Sequence, residues 1–242
     1  MLITSVQNSK VKDYVKLMKQ KKERDRESRF IIEGEHLVFE AIKAGLVVEV
    51  LVLEGLNYDL PLEPIVVTKE VMNKICETIT PQGIIALCKQ IEDSIDNFKR
   101  ILLLDDVNDP GNLGTILRSV DAFGFDGVIV SPNTVDLYNP KVVRATQGAI
   151  FRVKVLKLDM EEAIKLLQEK GVRVYAADLN GIQLDHIQKL DKMAFVMGNE
   201  AQGVSQKVLN RVDETLTIEM TGYAESLNVS IAASIIMHQF RK

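Results

Sequence analysis

The sequence lacks several features that would assign it quickly to a class of protein. No apolar run approaches the ~20 residues that a membrane-spanning helix needs. The stretch MLITSVQNSKVKDY has no apolar core of a signal peptide, so we expect a protein that is not exported. Cys76 and Cys88, the only cysteines, lie twelve positions apart, which fits neither a disulfide framework nor a metal-ligand spacing. We therefore expect no membrane partner and a cytoplasmic location.

The chain also lacks the common motifs of nucleophilic, metal and phosphate chemistry. The strings G-x-S-x-G, H-E-x-x-H, C-x-x-C and G-x-x-x-x-G-K-[ST] are absent, and Gly111 and Gly114 lack the third glycine of a dinucleotide-binding loop. The histidines, scattered without a partner spacing, are expected to be structural or on the surface: His36, His186 and His238. These absences predict no metal site and argue against a metabolic nucleotide-binding enzyme.

What the 242 residues do contain is a composition typical of a globular protein, with 46% hydrophobic and 26% charged residues. The net charge is −4, but residues 10–29 hold nine basic and four acidic side chains, a local charge of +5. A basic segment on an acidic chain is an electrostatic signature of nucleic-acid binding. A solvated helix whose charges pair four residues apart accounts for the same pattern equally well.

The pattern of apolar residues predicts two α/β domains, at residues 1–95 and 96–242. In the first domain FIIEG, VEVLVL, PIVVT and GIIALCK are predicted strands, and EHLVFEAIKAG is a predicted helix. The polar and acidic residues 90–100 are typical of a linker. From residue 100 onward, strands alternate with helices, which predicts parallel βαβ units and a sheet covered on both faces.

Three polar loops follow predicted strands of the second domain. That domain's predicted strands are RILLLDDV, GVIVS, RVKVLK, VRVYAAD, KMAFVMGN and TLTIEM, and its predicted helices are LGTILRSVDAFG, NPKVVRATQGAI, MEEAIKLLQEKG and ESLNVSIAASIIMHQF. Ligands of such sheets bind beyond the carboxyl ends of the strands, here in DDVNDPGNLG, GNEAQGVS and EMTGYAESLN. The first and third loops alone are explained as a turn with a helix cap, such as Asn112, Ser226 or Asn228. The Gly-Asn-Glu turn of the second loop, directly after a strand, is unusual as packing alone. All three at one edge of one sheet favour a functional site.

Taken in order, the three segments resemble the motifs of the SpoU (TrmH-like) RNA 2′-O-ribose methyltransferases of the SPOUT superfamily. The matching stretches are DPGNLGTILRSVDAFGFDGVIV, FVMGNEAQGVS and IEMTGYAESLNVSIAASI, within about residues 100–242. Glu219 stands where the family usually has a proline that shapes the turn beside the cofactor. RFIIEGEHLVFEAI and PQGIIALCK resemble the family's N-terminal substrate-binding domain, a small α/β module like ribosomal protein L30e.

The resemblance implies a fold, a cofactor and roles for particular residues. It implies a C-terminal parallel sheet with a deep trefoil knot, S-adenosylmethionine as methyl donor without a metal, and a homodimer with its active site near the interface. The implied catalytic residues are Asn112, Arg118, Glu200, Ser226 and Asn228. The implied cofactor-binding residues are Met197, Gly198, Asn199, Gly203, Ile218, Met220 and Leu227.

Arg118 matches the arginine that is proposed in the family to help deprotonate the 2′-hydroxyl. A guanidinium has a pKa above ~12 and is a poor base, but it is well suited to binding the neighbouring phosphate and stabilising a developing alkoxide. We therefore expect Arg118 to be catalytic and leave its role in proton transfer open.

Several alternatives remain at this point. Ribosomal RNA is the preferred substrate because a separate recognition domain suits a folded RNA, and transfer RNA is the second choice. A non-catalytic RNA-binding or assembly protein of the same fold is a further alternative. For the dimer, Leu227, Ile231 and Ile235 form an apolar row four residues apart that is expected at the interface, unless it packs into the core of its own chain. The same helix has small residues that permit close approach of a second helix: Ser230, Ala232, Ala233 and Ser234.

Overall fold

The computed structural model describes residues 2–91, 94–95 and 97–241. The chain folds into two compact units that are interleaved in sequence. The first unit comprises Met1–Glu92 with Asp136–Phe151, and the second comprises Asp93–Val135 with Arg152–Lys242. The boundary between residues 95 and 96 stays a prediction, and the expected linker at 90–100 includes positions 92, 93 and 96, which lie outside the described residues.

The strands of the described residues are, in chain order, β1 (Leu2–Ile3), β2 (Arg29–Glu33), β3 (Val47–Leu53), β4 (Ile65–Val67), β5 (Ile84–Lys89), β6 (Arg100–Leu104), β7 (Gly127–Val130), β8 (Val155–Lys157), β9 (Arg173–Gln183), β10 (Met193–Met197) and β11 (Glu214–Thr217). The α-helices are α1 (Ser9–Lys19), α2 (Lys21–Glu27), α3 (Glu35–Lys43), α4 (Lys69–Ile75), α5 (Pro110–Phe123), α6 (Pro140–Thr146), α7 (Met160–Glu169), α8 (Gln206–Leu209) and α9 (Val229–Gln239). Among these helices none is long and apolar enough for a membrane span.

The first unit contains a mixed sheet in the order β1-β4-β3-β5-β2, in which β5 runs antiparallel to β2 and β3. Helix α1 packs on it through one face, since Val11, Tyr14 and Met18 recur at helical spacing and are buried. Its basic side chains therefore point away from the core. Residues 136–151 belong to this unit because Val143 and Ile150 join the apolar core formed by β2, β3 and β5.

The second unit contains, within its described residues, a sheet of six strands in the order β11-β9-β10-β6-β7-β8. Every pairing in it is parallel, so the predicted parallel sheet is confirmed. Both faces are covered: Leu103 packs with Leu167 of α7 on one side, and Phe195 stacks on Phe240 at 4.9 Å on the other. Because the strands are parallel, the carboxyl ends of β6, β10 and β11 lie at one edge of the sheet.

Several predicted elements have different ends in the structure. Strand β8 begins only at Val155, so the first half of RVKVLK is not a strand. Strand β11 ends at Thr217, which leaves Ile218 and Met220 in the loop that follows. The terminal helix begins at Val229 instead of Glu225, because the Asn228 side chain caps its first turn. The trefoil knot stays a prediction.

Candidate active site

The loop after β6 enters helix α5 through a well-formed helix cap. The Asp109 side chain accepts a hydrogen bond from the backbone N–H of Asn112 at 2.9 Å. Pro110 occupies the first helical position, where its missing N–H costs nothing. The DPGN sequence therefore fixes the start of α5 and with it the position of Asn112.

The side chain of Asn112 connects the three loops that follow β6, β10 and β11. Its amide nitrogen donates to Oε1 of Glu200 at 3.0 Å. Its amide oxygen accepts from Nδ2 of Asn228 at 3.0 Å. The other end of the Asn228 side chain accepts from the backbone N–H of Ser230 and so caps α9. One residue from each of the three sequence motifs is therefore held in a single hydrogen-bonded chain.

The Glu200 carboxylate accepts two further hydrogen bonds from the loop after β6. The backbone N–H groups of Asp109 and Asn108 donate to it at 2.9 and 3.2 Å. Desolvation by burial acts to raise the pKa of Glu200, but the bonds from Asn112, Asp109 and Asn108 outweigh it, so the net pKa is lowered. Glu200 is therefore a permanent anion at neutral pH that fixes the loop, and it is poorly suited to be a general base.

A second group of contacts also joins the loops after β6 and β10. The Asn199 side chain donates to the backbone oxygen of Asp106 at 2.8 Å, and the buried Asp105 carboxylate accepts from the backbone N–H of Ser205 at 2.9 Å. Asp106 has a left-handed φ of +59°, and its side chain accepts from Ser131 Oγ at 2.5 Å. The bond to Ser131 holds this strained conformation.

Gly198 is required where the loop after β10 crosses itself. A Cβ atom at this position would lie 2.0 Å from the backbone carbon of Gly203 and 2.1 Å from the nitrogen of Val204. Such distances exclude any side chain. Asn199 and Gly203 exchange backbone hydrogen bonds of 3.0 and 2.9 Å, which close the loop. The loop thus presents backbone groups, without side-chain obstruction, beside the end of β10.

The remaining predicted site residues are not brought into this network. Arg118 lies on the exposed face of α5, and Ser226 is exposed in the loop before α9; the described residues provide neither side chain with a hydrogen-bond partner. Ile218, Met220 and Leu227 are half-buried in the loop after β11, and Met197 is buried at the end of β10. The structure therefore gathers Asn112, Glu200 and Asn228 directly, with Arg118 and Ser226 free to meet a ligand.

Sequence reasoning missed Asp105, Asp106, Ser131 and the buried Arg100. Their signal was weak, because an aspartate pair after a strand or a serine before a turn is ordinary loop chemistry. Arg100 donates to the backbone oxygens of Phe240, Asp191 and Leu190 at 2.7–2.8 Å, which ties the end of α9 to the sheet. Within the described residues, no cluster of three or more His, Cys, Asp or Glu side chains has the arrangement of a metal site.

Comparison with known proteins identifies the family. The model of the SpoU rRNA Methylase family matches residues 99–238, and that of the MRM3-like substrate binding domain matches residues 8–86. Since the first match covers more than half of the chain, this protein belongs to the SpoU rRNA Methylase family. The prediction made from the three motifs is confirmed. The protein is therefore an RNA methyltransferase that uses S-adenosylmethionine.

Individual relatives agree with this assignment along the whole chain. The 23S rRNA (guanosine(2553)-2'-O)-methyltransferase RlmP of Bacillus subtilis (strain 168) is 39% identical over 245 residues, which cover 99% of this chain and 98% of that protein. An AdoMet-bound rRNA methyltransferase from Sinorhizobium meliloti is 29% identical with a TM-score of 0.86, over 99% of this chain and 96% of that one. The SpoU methyltransferase AviRb from Streptomyces viridochromogenes shares the fold, at 23% identity and a TM-score of 0.86 over 96% of this chain and 97% of that one.

Proposed function

We propose that this protein transfers a methyl group from S-adenosylmethionine to a ribose 2′-hydroxyl of ribosomal RNA. The observation that carries the proposal is the Asn112 side chain, which binds Glu200 and Asn228 at once. This arrangement fixes three strand-end loops around one point with neutral amides and a single carboxylate. A non-catalytic RNA-binding protein has no need of such a network, since phosphate contacts alone supply nonspecific affinity.

The loops after β10 and β11 have the properties that the cofactor requires. Gly198 leaves the backbone of the first loop accessible, and Ile218, Met220 and Leu227 offer half-buried apolar surface in the second. Backbone hydrogen-bonding groups next to apolar side chains suit the adenosine and amino-acid parts of the cofactor, neither of which needs a cluster of cationic side chains. S-adenosylmethionine, when bound, supplies an electrophilic methyl group on a sulfonium ion. We assign Met197, Asn199 and Gly203 to the same site.

Arg118 is the proposed acceptor-side residue. It projects from the exposed face of α5, the helix whose first turn carries Asn112. A guanidinium with no partner in the described residues is available to bind the phosphate next to the target ribose in a bidentate manner. In that position its charge stabilises the alkoxide that forms as the hydroxyl loses its proton. We assign Ser226, which is exposed before α9, as a hydrogen-bonding residue for the ribose.

Ribosomal RNA is the proposed substrate because the Bacillus subtilis relative, 39% identical over nearly its full length, is named as a 23S rRNA methyltransferase. Transfer RNA is the alternative, which direct substrate comparison tests. We also propose action in the cytoplasm, where ribosomal RNA is available to a protein with reduced cysteines.

We further propose that the protein works as a homodimer formed through α9. Ile231 and Ile235 are 50% and 38% exposed, so this apolar row does not pack into the core of its own chain. One small residue of α9 makes a contact within the chain, since Ser234 Oγ lies 2.9 Å from Ser119 Oγ of α5. Exposed isoleucines beside the candidate site are the expected surface for a second copy. A monomer near 27 kDa in light scattering at micromolar concentration contradicts this proposal.

The basic segment at residues 10–29 is a proposed RNA-binding surface, with one revision to its members. Arg24 is only 4% exposed and binds Asp136 at 2.5 Å and the backbone oxygen of Leu17 at 2.7 Å, so its role is structural. Lys10, Lys16, Lys21 and Arg26 form ion pairs with neighbouring carboxylates. The cations left for phosphate contacts are the exposed Lys12, Lys19, Lys22 and Arg29.

The test is transfer of tritium from labelled S-adenosylmethionine to ribosomal RNA, followed by nucleoside analysis. We expect 2′-O-methylated nucleoside as product and cofactor binding by calorimetry that a chelator leaves unchanged. Arg118→Ala should lower methyl transfer more than tenfold, about 1.4 kcal/mol of barrier, with cofactor affinity within twofold. Arg173→Ala, at an exposed arginine paired with Glu214, is the control and should keep full activity. Label on a base, or no cofactor binding, contradicts the proposal.

A further inference from the structure

A polar recess of about 240 Å³ lies in the first unit, outside the three loops of the candidate active site. It is bounded by the end of β2, the start of α3, the chain before β5 and the end of α6. The side chains of His36, Gln82 and Arg144 form its walls. The volume is smaller than the ~300–1,000 Å³ of pockets for drug-sized molecules, so it suits one small ring system or ion.

The walls of this recess are held in place without a ligand. Gly34 has a left-handed φ of +99°, and a Cβ there would lie 2.8 Å from Oε1 of Gln82. That oxygen accepts a hydrogen bond from the backbone N–H of Glu35 at 2.9 Å. On the opposite side, Nε2 of His36 lies 3.2 Å from the backbone oxygen of Gln147, so it carries the proton and donates. In the tautomer that carries this single ring proton on Nε2, Nδ1 is an acceptor.

Among the described residues that line the recess, Arg144 is the one arginine, and part of its hydrogen-bonding capacity is unused. Its Nη1 atom is buried and has no hydrogen-bond partner within the described residues. The neighbouring carboxylates are too distant for hydrogen bonds, since Nη1 lies 3.7 Å from Glu33 and Nη2 lies 3.7 Å from Glu77. A guanidinium presents its donors in a planar fork that matches two adjacent acceptor atoms. The recess therefore suits a ligand that offers such a pair of acceptors.

Charge decides which ligand of this kind fits. The buried Glu33 carboxylate already accepts from the backbone N–H of Glu77 at 2.8 Å and from Thr78 Oγ1 at 2.7 Å. Together with Glu77 it places two negative charges beside the single positive charge of Arg144. A phosphate bound here would lie beside two carboxylates and be repelled, whereas a neutral heterocycle would not. Guanine presents two adjacent acceptors, O6 and N7, and pairs with arginine in a bidentate manner.

We propose that this recess binds one unpaired guanine base of the RNA through the O6/N7 edge, with Arg144 as the reading residue. The proposal rests on the proposed function only in requiring that the ligand is RNA. Sequence-specific RNA recognition is directed mostly at unpaired bases, which are held by hydrogen bonds to their edges and by planar side chains such as His and Arg. The recess thereby selects the RNA, while the loops after β6, β10 and β11 perform the transfer.

The test uses the full-length protein and three pentaribonucleotides, UUGUU, UUAUU and UUUUU, with inorganic phosphate as competitor. UUGUU should bind at least about fivefold more tightly than the other two, the lower end of what one bidentate arginine–guanine contact contributes. Phosphate at millimolar concentration should not remove this preference. Equal affinity for the three RNAs overturns the proposal, as does loss of the preference to phosphate, which would reveal an anion site.

Arg144→Lys keeps the charge but removes the planar fork, so the guanine preference should fall below twofold. Arg211→Lys, at an exposed arginine paired with Glu161, is the matched control and should keep the preference. In the unmodified protein, UUGUU should shift the imidazole resonance of His36 but not those of His186 and His238; an unshifted His36 overturns the proposal even if the lysine variant fails to fold. Absence of S-adenosylmethionine binding would instead refute the proposed function, and the preference for guanine could still be measured because that assay does not use the cofactor.

Discussion

Replacing Glu200 with glutamine should lower kcat/KM for RNA methylation by about 5- to 30-fold. The carboxylate accepts from Asn112, Asp109 and Asn108 at 3.0, 2.9 and 3.2 Å. A hydrogen bond to a charged group contributes ~1.5–3 kcal/mol and a neutral one ~0.5–1.5 kcal/mol. Glutamine keeps one acceptor oxygen and loses the charge, and solvent screens part of the difference at this exposed site. The transition state for methyl transfer is therefore destabilised by about 1–2 kcal/mol, because Asn112 is no longer held in position.

The assay is the initial rate of tritium transfer to ribosomal RNA at subsaturating RNA. Glu225→Gln is the matched control, since Glu225 is exposed in the loop after β11 and has no hydrogen-bond partner in the described part of the chain. In a double-mutant cycle, Glu200→Gln and Asn112→Ala should couple by at least ~0.5 kcal/mol. Because the pKa of Glu200 is lowered, the ratio of wild-type to variant rate should stay constant from about pH 6 to 9. Full activity of Glu200→Gln, or additive effects in the cycle, would refute the reasoning.

Further predictions concern stability and RNA affinity. Arg100→Met should lower the free energy of unfolding by at least ~3 kcal/mol in denaturant titrations, because it leaves the carbonyls of Phe240, Asp191 and Leu190 without their donor; Arg173→Met should cost less than ~1 kcal/mol. Desolvation is the largest single influence on Glu49 and raises its pKa, but the hydrogen bonds from Lys10 and Tyr14 together outweigh it, so the net pKa is lowered. Ionised Glu49 therefore stabilises the folded state above the unfolded pKa of ~4.3, and this stabilisation is lost as the pH falls through the folded pKa. The Tm deficit of Glu49→Gln should therefore be measurable at pH 7 and shrink progressively as the pH falls below about 4, and a constant deficit is the contrary result. The slope of log affinity for RNA against log salt concentration should fall in magnitude by about two to three when three lysines are changed together to Gln: Lys12, Lys19 and Lys22. The same change at three exposed lysines elsewhere should leave this slope unchanged: Lys157, Lys165 and Lys207. Equal slopes for the two variants would show that the basic segment is only a solvated helix.

The sequence predicted the second unit's sheet well because its strands are continuous apolar runs, such as ILLL and MAFVM, between glycine and polar turns. It also predicted that the three loops lie at one edge, which follows from parallel strands. It did not reveal that residues 136–151 join the first unit. A helical pattern shows which face is apolar but not which surface covers it, and the partners Phe30 and Ile32 lie more than a hundred positions away.

The sequence indicated residues of a candidate site but not the contacts among them. Asn112, Glu200 and Asn228 were expected together, whereas the chain of bonds through Asn112 depends on side-chain geometry that spacing does not encode. Charge counting failed for Arg24 for a similar reason, since a count of cations does not distinguish a solvated side chain from one buried against Asp136. Spacing likewise did not reveal that Ser234 of α9 contacts Ser119 of α5 within the same chain.

The central claim, ribose methylation of ribosomal RNA by the loops around Asn112, is tested most directly by mapping 2′-O-methyl groups in total RNA from cells with and without this protein. Reverse transcription at limiting nucleotide concentration and resistance to alkaline hydrolysis locate such groups. The account predicts that a ribosomal RNA position loses its 2′-O-methyl group without the protein, regains it with the wild-type chain and does not regain it with Arg118→Ala. An unchanged methylation map, a change confined to transfer RNA, or restoration by Arg118→Ala would contradict it.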